Sequence, residues 1–89
     1  MAYRLEFTKA ADKDLEKLDP SIRRMILGWL NKNVNQCSNP RVHGKALVGN
    51  HAGEWRYRIG DYRVICIIKD EELIVLAIEI GHRREIYSN

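Results

Sequence analysis

Hydrophobic positions recur at two periods along this chain, and each change of period marks an element. Tyr3, Leu5 and Phe7 alternate with Arg4 and Glu6, the period of two that turns one face of a strand toward a core. Thr8 supplies a side-chain oxygen suited to cap a helix from residue 9 to about 18, with Ala11, Leu15 and Leu18 at helical spacing. Asp19-Pro20 restarts the chain as a cap followed by proline at the first helical position, where its missing N–H is not needed. Ile22, Met25, Ile26, Trp29, Leu30 and Val34 then form the stripe of a core-facing helix, weakened but not broken by Gly28.

Residues 35–53 lose regular period and contain Asn39-Pro40, Gly44, Gly49 and Gly53, which predicts a long loop with a turn of structure near Leu47. Three strands follow at about 54–59, 62–69 and 73–80, joined by Gly60-Asp61 and by Asp70-Glu71-Glu72. The last two are almost continuously apolar, as strands covered on both faces are. Two helices shield only one face of such a sheet, so an apolar surface is expected to remain for a partner. Gly81 is expected to let the tail bend out of the sheet. The order βααβββ predicts one α+β domain of two layers over all 89 residues, two N-terminal helices on a mostly antiparallel four-stranded sheet.

Charge refines this picture more by its distribution than by its total. The formal net charge is +3 and the sequence pI about 9.0. Lys9, Lys13 and Lys17 are mixed with Asp12, Asp14 and Glu16, the pattern of solvated helix faces. From residue 41 to 63, by contrast, Arg41, Lys45, Arg56, Arg58 and Arg63 meet only Glu54 and Asp61, with His43 and His51 nearby. On an alternating strand Arg56 and Arg58 share a face, opposite Trp55, Tyr57 and Ile59. A two-residue turn at Gly60-Asp61 then sets Arg58 directly across from Arg63. Like charges so placed destabilise a sheet unless they splay into water or hold an anion. Phosphate suits the flat guanidinium fork best. Trp55, Tyr57 and Tyr62 fall on the other face and read as core rather than as stacking platforms for bases.

Cys37 and Cys66 have neither metal-ligand spacing nor the density of a disulfide scaffold, so both are expected to be reduced, in a cytosol. His43 and His51 read as loop residues, and no zinc site is expected without cysteine ligands at the right spacing. The N-terminus has no apolar leader and no apolar run reaches membrane-spanning length, which predicts a soluble, cytoplasmic protein.

Taken together, the order of elements, the Pro40-Arg41 to Lys45-Ala46-Leu47 loop, Trp55-Arg56-Tyr57-Arg58, Gly60-Asp61-Tyr62-Arg63-Val64 and Gly81-His82-Arg83 running to Ile86-Tyr87 resemble the RelE/ParE superfamily of bacterial toxins, its RelE branch in particular. The resemblance implies a ribosome-dependent endoribonuclease that cuts mRNA and is held inactive by a RelB-like antitoxin from the same operon. The tight complex of the two would bind operator DNA through the antitoxin. No cofactor is implied: the RNA 2′-hydroxyl attacks the adjacent phosphate and leaves a cyclic phosphate, a reaction that needs a base, an acid and cations.

The same resemblance assigns roles to residues. Arg63 and Arg83 would stabilise charge on the phosphorane, while Arg41, Lys45, Arg56, Arg58 and Arg84 would contact RNA phosphates. Arg56 and Arg58 stand where the RelE pattern has lysines, and arginine cannot release a proton. Tyr87 matches the tyrosine near the family's C-terminus and reads either as a general base with its pKa lowered by Arg83 and Arg84 or as a packing aromatic. Its spacing from Arg83 is shorter than in the best-known RelE pattern. His82 can carry a proton near neutrality, or can close the end of the sheet as a structural residue. Two other functions share the motifs: non-enzymatic inhibition of DNA gyrase, as in ParE toxins, and RNA binding without chemistry.

Overall fold

A computed structural model describes residues 1–82. Strand β1 (Arg4–Phe7) leads into helices α1 (Lys9–Glu16) and α2 (Pro20–Asn33). A short strand β2 (Lys45–Ala46) and a 3₁₀ turn (Gly49–His51) precede β3 (Trp55–Ile59), β4 (Tyr62–Lys69) and β5 (Ile74–His82). The strands form one mixed sheet in the order β1-β5-β4-β3-β2, in which β1 runs parallel to β5 and every other pair is antiparallel.

Both helix starts follow from their caps: Ala11 donates its N–H to Thr8 Oγ1 at 3.1 Å, and Ser21 its N–H to Asp19 Oδ2 at 3.2 Å. Helix α1 stops at Glu16, short of Leu18, because Asp19 precedes a proline and must be extended. Ala11 and Leu15 of α1 and Ile26 and Leu30 of α2, with Val34, pack on Tyr57, Ile59, Val64, Cys66, Val75, Ala77 and Ile80. Those sheet residues make up the helix-facing side.

Three expectations are corrected. The sheet has five strands rather than four, because Lys45 and Ala46 pair with Arg56 and Trp55. Two residues are too few for any alternation to show. Strand β5 does not release the chain at Gly81 but continues, pairing Gly81 with Arg63 and His82 with Tyr62. The His82 and Tyr62 rings meet edge to face at 5.5 Å, which carries the ladder one pair beyond the glycine. Finally, the face away from the helices is less open than expected: Ile65 is fully buried and Ile67, Leu76 and Ile78 are half-buried. Among the described residues the large exposed apolar side chains are Met1, Met25, Val42 and Val48, none of them on β4 or β5.

A β-bulge opposite Ile65 and Cys66 sets the end of β5. Ile65 pairs with Glu79 but Cys66 with Ala77, so Ile78 is the extra residue. Asp14 of α1 accepts the Ile80 N–H at 2.9 Å just past it. The bulge returns Ile80 to the helix side and Gly81 to the side of Arg63.

The loop between α2 and β3 is fastened at several points. Tyr3 N–H donates to Cys37 O and Gln36 N–H to Tyr3 O, both at 2.8 Å, which covers the outer edge of β1. Farther on, Tyr57 Oη donates to Pro40 O, and Trp55 Nε1 to His43 O at 2.8 Å. Gly44 makes the approach possible: its φ is +87°, and a Cβ there would lie 2.3 Å from Arg56 O.

Candidate functional site

The β3–β4 hairpin places Arg58 directly opposite Arg63, as its sequence predicts. On the other side of Arg63 the partner across β4 and β5 is Gly81. A row Arg58, Arg63, Gly81 therefore crosses three strands on the face away from the helices, and a row Arg56, Ile65, Glu79 lies beside it. Neighbouring strands are about 4.8 Å apart, so each row is a strip of closely spaced positions. Gly81 contributes no side chain to its row, and both it and Arg63 are buried.

Arg58 is exposed, whereas Arg63 is only 3% exposed, with Nη1 donating to Tyr62 O at 3.4 Å. The sequence pattern anticipates the pairing but not this burial. A cation that deep is poorly screened by water and attracts a nearby anion more strongly than a surface arginine does.

The sequence matches the family described as ParE toxin of type II toxin–antitoxin system, parDE, over residues 5–87. It is also 33% identical over 87 residues to Toxin RelG of Mycobacterium tuberculosis, covering 98% of each chain. The chain belongs to the RelE/ParE toxin superfamily. Against mRNA interferase toxin RelE of Escherichia coli the toxin is 31% identical over 91 residues, covering 99% of this chain and 93% of the relative. Its fold matches a chain of the toxin–antitoxin complex RelBE2 from Mycobacterium tuberculosis with a TM-score of 0.84 at 31% identity, over 93% of each chain. It is a RelE-family toxin of the type II toxin–antitoxin class.

The remaining predicted site residues are dispersed. Lys45 on β2 is exposed and pairs with Arg56, so it stands beside the arginine rows. His82 shares the helix-facing side with Ile80 and Val64 and packs on Tyr62, so it is not brought onto the face of Arg63. Arg83, Arg84 and Tyr87 lie outside the described residues.

Arg41 is placed elsewhere. Its two terminal nitrogens fork onto the Asp70 carboxylate at 2.9 Å each, and Tyr3 Oη donates to the same carboxylate at 2.7 Å. The Arg41 hydrogen bonds, with Tyr3 second, hold the Asp70 carboxyl down at about 2. Asp70 in turn raises both the Arg41 guanidinium and the Tyr3 phenol above their ordinary values. This cluster fastens the α2–β3 loop to the β4–β5 turn.

Two residues that the sequence pattern does not assign to the site stand next to it. Trp29 is expected in the core and His43 in a loop, yet their rings meet at 5.4 Å and 71°, and Trp29 also packs on Tyr57 at 5.7 Å. With Gly44, Lys45, Arg56 and Arg58 they line a cleft of about 260 Å³. Helical spacing reports that Trp29 faces inward, but not that it lies at the rim. Among the described residues no three His, Cys, Asp or Glu side chains gather as a metal site would require, and no helix is long and apolar enough to cross a membrane.

Proposed function

We propose that this toxin is an endoribonuclease that cuts mRNA presented by the ribosome, in the cytoplasm, until an antitoxin of the RelB kind binds and silences it. The observation that carries the reading is the row Arg58, Arg63, Gly81: two arginines paired across the hairpin on the face away from the helices, one exposed and the other buried. Such an arrangement suits a phosphate whose equatorial oxygens gain charge during in-line attack. The name mRNA interferase carried by the Escherichia coli relative supports RNA as the polymer.

In this reading the RNA 2′-oxygen bonds to the adjacent phosphorus, the P–O5′ bond breaks, and a 2′,3′-cyclic phosphate remains. Arg63 and Arg83 neutralise the phosphorane, and Arg56, Arg58, Lys45 and Arg84 hold flanking phosphates. Arginines cannot accept the 2′ proton. His82, packed on Tyr62, is better suited to closing the sheet. Proton transfer therefore falls to Tyr87, its phenol lowered by Arg83 and Arg84, or to groups of the ribosome. The RelBE2 complex supports a RelB-like partner for this chain; operator DNA would be bound through that partner.

Purified toxin added to a translation extract should truncate mRNA at positions in phase with codons, mapped by 5′ ends. Arg58→Ala, an exposed position, and Tyr87→Phe should each lose most of that cleavage, and Arg63→Ala nearly all of it. Intact mRNA during arrested or continuing translation would refute the reading. The match to the ParE family favours a second one, gyrase inhibition. Blocked supercoiling at stoichiometric toxin, with no RNA cut, would establish it instead.

A further inference from the structure

We infer that the cleft at the edge of β3 beyond β2 is a subsite for one nucleotide of single-stranded RNA, its base in the corner made by Trp29 and His43 and its phosphate on Lys45 and Arg58. The inference deepens the reading of this toxin as an RNA-cutting protein by naming a place that holds the strand beside the arginine row.

The cleft exists because β2 is only two residues long. Past the pair Lys45 and Arg56 no strand among the described residues covers that edge of β3, and the loop turns at Gly44 toward α2 instead. Trp29 and His43, inclined at 71°, form an aromatic corner in which a base can stack on one ring and abut the other. Lys45, Arg56 and Arg58 supply the cationic rim, and no carboxylate is among the described residues that line the cleft. Aromatic surface beside a basic groove is what a single strand requires, since every base has a π-face and every phosphate a charge. At about 260 Å³ the cleft falls just below the roughly 300–1,000 Å³ of ordinary ligand pockets, room for one nucleotide rather than several.

Its walls are also held in place before any ligand arrives. Trp55 Nε1 binds His43 O, Tyr57 Oη binds Pro40 O, and Gly44 lies against the β3 backbone. Ordering the loop therefore adds little to the cost of binding. Arg58 belongs both to this cleft and to the row with Arg63, so a strand with one phosphate at Arg63 delivers its neighbouring nucleotide here.

The test is the fluorescence anisotropy of a labelled 2′-O-methyl pentaribonucleotide, which lacks the attacking hydroxyl, titrated with the full toxin chain over a range of salt. His43→Ala keeps the main-chain carbonyl that Trp55 binds and should weaken binding about 5- to 10-fold at every salt concentration. Lys45→Ala should weaken it and lower the slope of log K against log salt by about 0.7. Lys13→Ala removes the same charge from exposed α1 and should stay within about 2-fold of the parent. Thermal melts of each variant establish that the comparison is between folded proteins. The inference is overturned if His43→Ala binds like the parent, if Lys13→Ala falls as far as Lys45→Ala, or if an acidic peptide displaces the RNA as well as unlabelled RNA does. Cleavage in the translation extract is scored separately. A toxin that cuts mRNA while its variants bind unchanged loses this subsite alone, and one that binds as described but cuts nothing loses the nuclease reading alone.

Discussion

Alanine at Gly44 should destabilise the toxin more than alanine at Gly49, and alanine at Gly28 should stabilise it. At Gly44 the φ of +87° costs an L-residue about 1–2 kcal/mol. The added Cβ would sit 2.3 Å from Arg56 O and 2.6 Å from Trp55 Nε1, closer than real contacts come. Arg56 O is backbone within a paired strand, so the loop must lift instead. Lifting breaks the bond from Trp55 to His43 O, worth about 0.5–1.5 kcal/mol net. The expected loss is about 1.5–3.5 kcal/mol, a large part of the stability of a domain this small. Gly49 has a φ of +66° with nothing within 4 Å of a new Cβ, so it bears only the backbone cost of about 1–2 kcal/mol. Gly28 is helical with open space around it, and alanine there gains about 0.5–1 kcal/mol. Urea denaturation of the three variants, with unchanged m-values, measures all of this. If Gly44→Ala is no less stable than Gly49→Ala, the close approach to β3 does not hold the loop, and the preformed cleft loses its basis.

Tyr57→Phe leaves the Pro40 carbonyl without its buried donor and should cost about 1–3 kcal/mol in the same assay, whereas a change below about 0.5 kcal/mol would mean water reaches that carbonyl. Asp70, held at about 2 against its ordinary 3.8, stabilises the fold fully above pH 3.8 and loses that contribution as pH falls toward 2. Asp70→Asn should therefore flatten the acid limb of a stability–pH profile in that window, and an unaltered limb would mean Arg41 and Tyr3 do not hold the carboxylate in solution. Cys66 is fully buried and its thiol is pushed up to about 12, while Cys37 is half-buried and raised less far, so a thiol reagent at pH 8 should label Cys37 first and Cys66 only on unfolding. Equal labelling rates would contradict the placement of Cys66 in the core.

Elements with a strong hydrophobic period are legible in the amino-acid order alone. The caps at Thr8 and Asp19, the stripe of α2 and the register that sets Arg58 against Arg63 all rest on local rules, and all are present except that Met25 of the stripe is exposed. What the sequence conceals depends on contacts between distant segments. Strand β2 carries no pattern of its own and exists because β3 offers an edge to it. Gly81 has the mark of a bend, but Arg63 across the ladder and His82 against Tyr62 keep it in the sheet. At the site the arginines are visible as charges and their pairing as register, whereas the burial of Arg63 is not, because burial is decided by what covers a face. Arg41 shows the converse: its basic surroundings point to phosphate, and Asp70, from a turn far along the chain, holds it in an ion pair.

The parallel pairing of β1 with β5 has a consequence for the order in which the toxin folds. Arg4 pairs with Ile74, so the first strand finds its partner only across most of the described chain. Contacts so distant in sequence slow folding, because closure entropy is lost before the contact repays it. The hairpin that carries Arg58 and Arg63 closes across two residues. On refolding, the charged hairpin is thus expected to close early and the completed sheet late, so Arg58 and Arg63 meet before the first strand locks against the last.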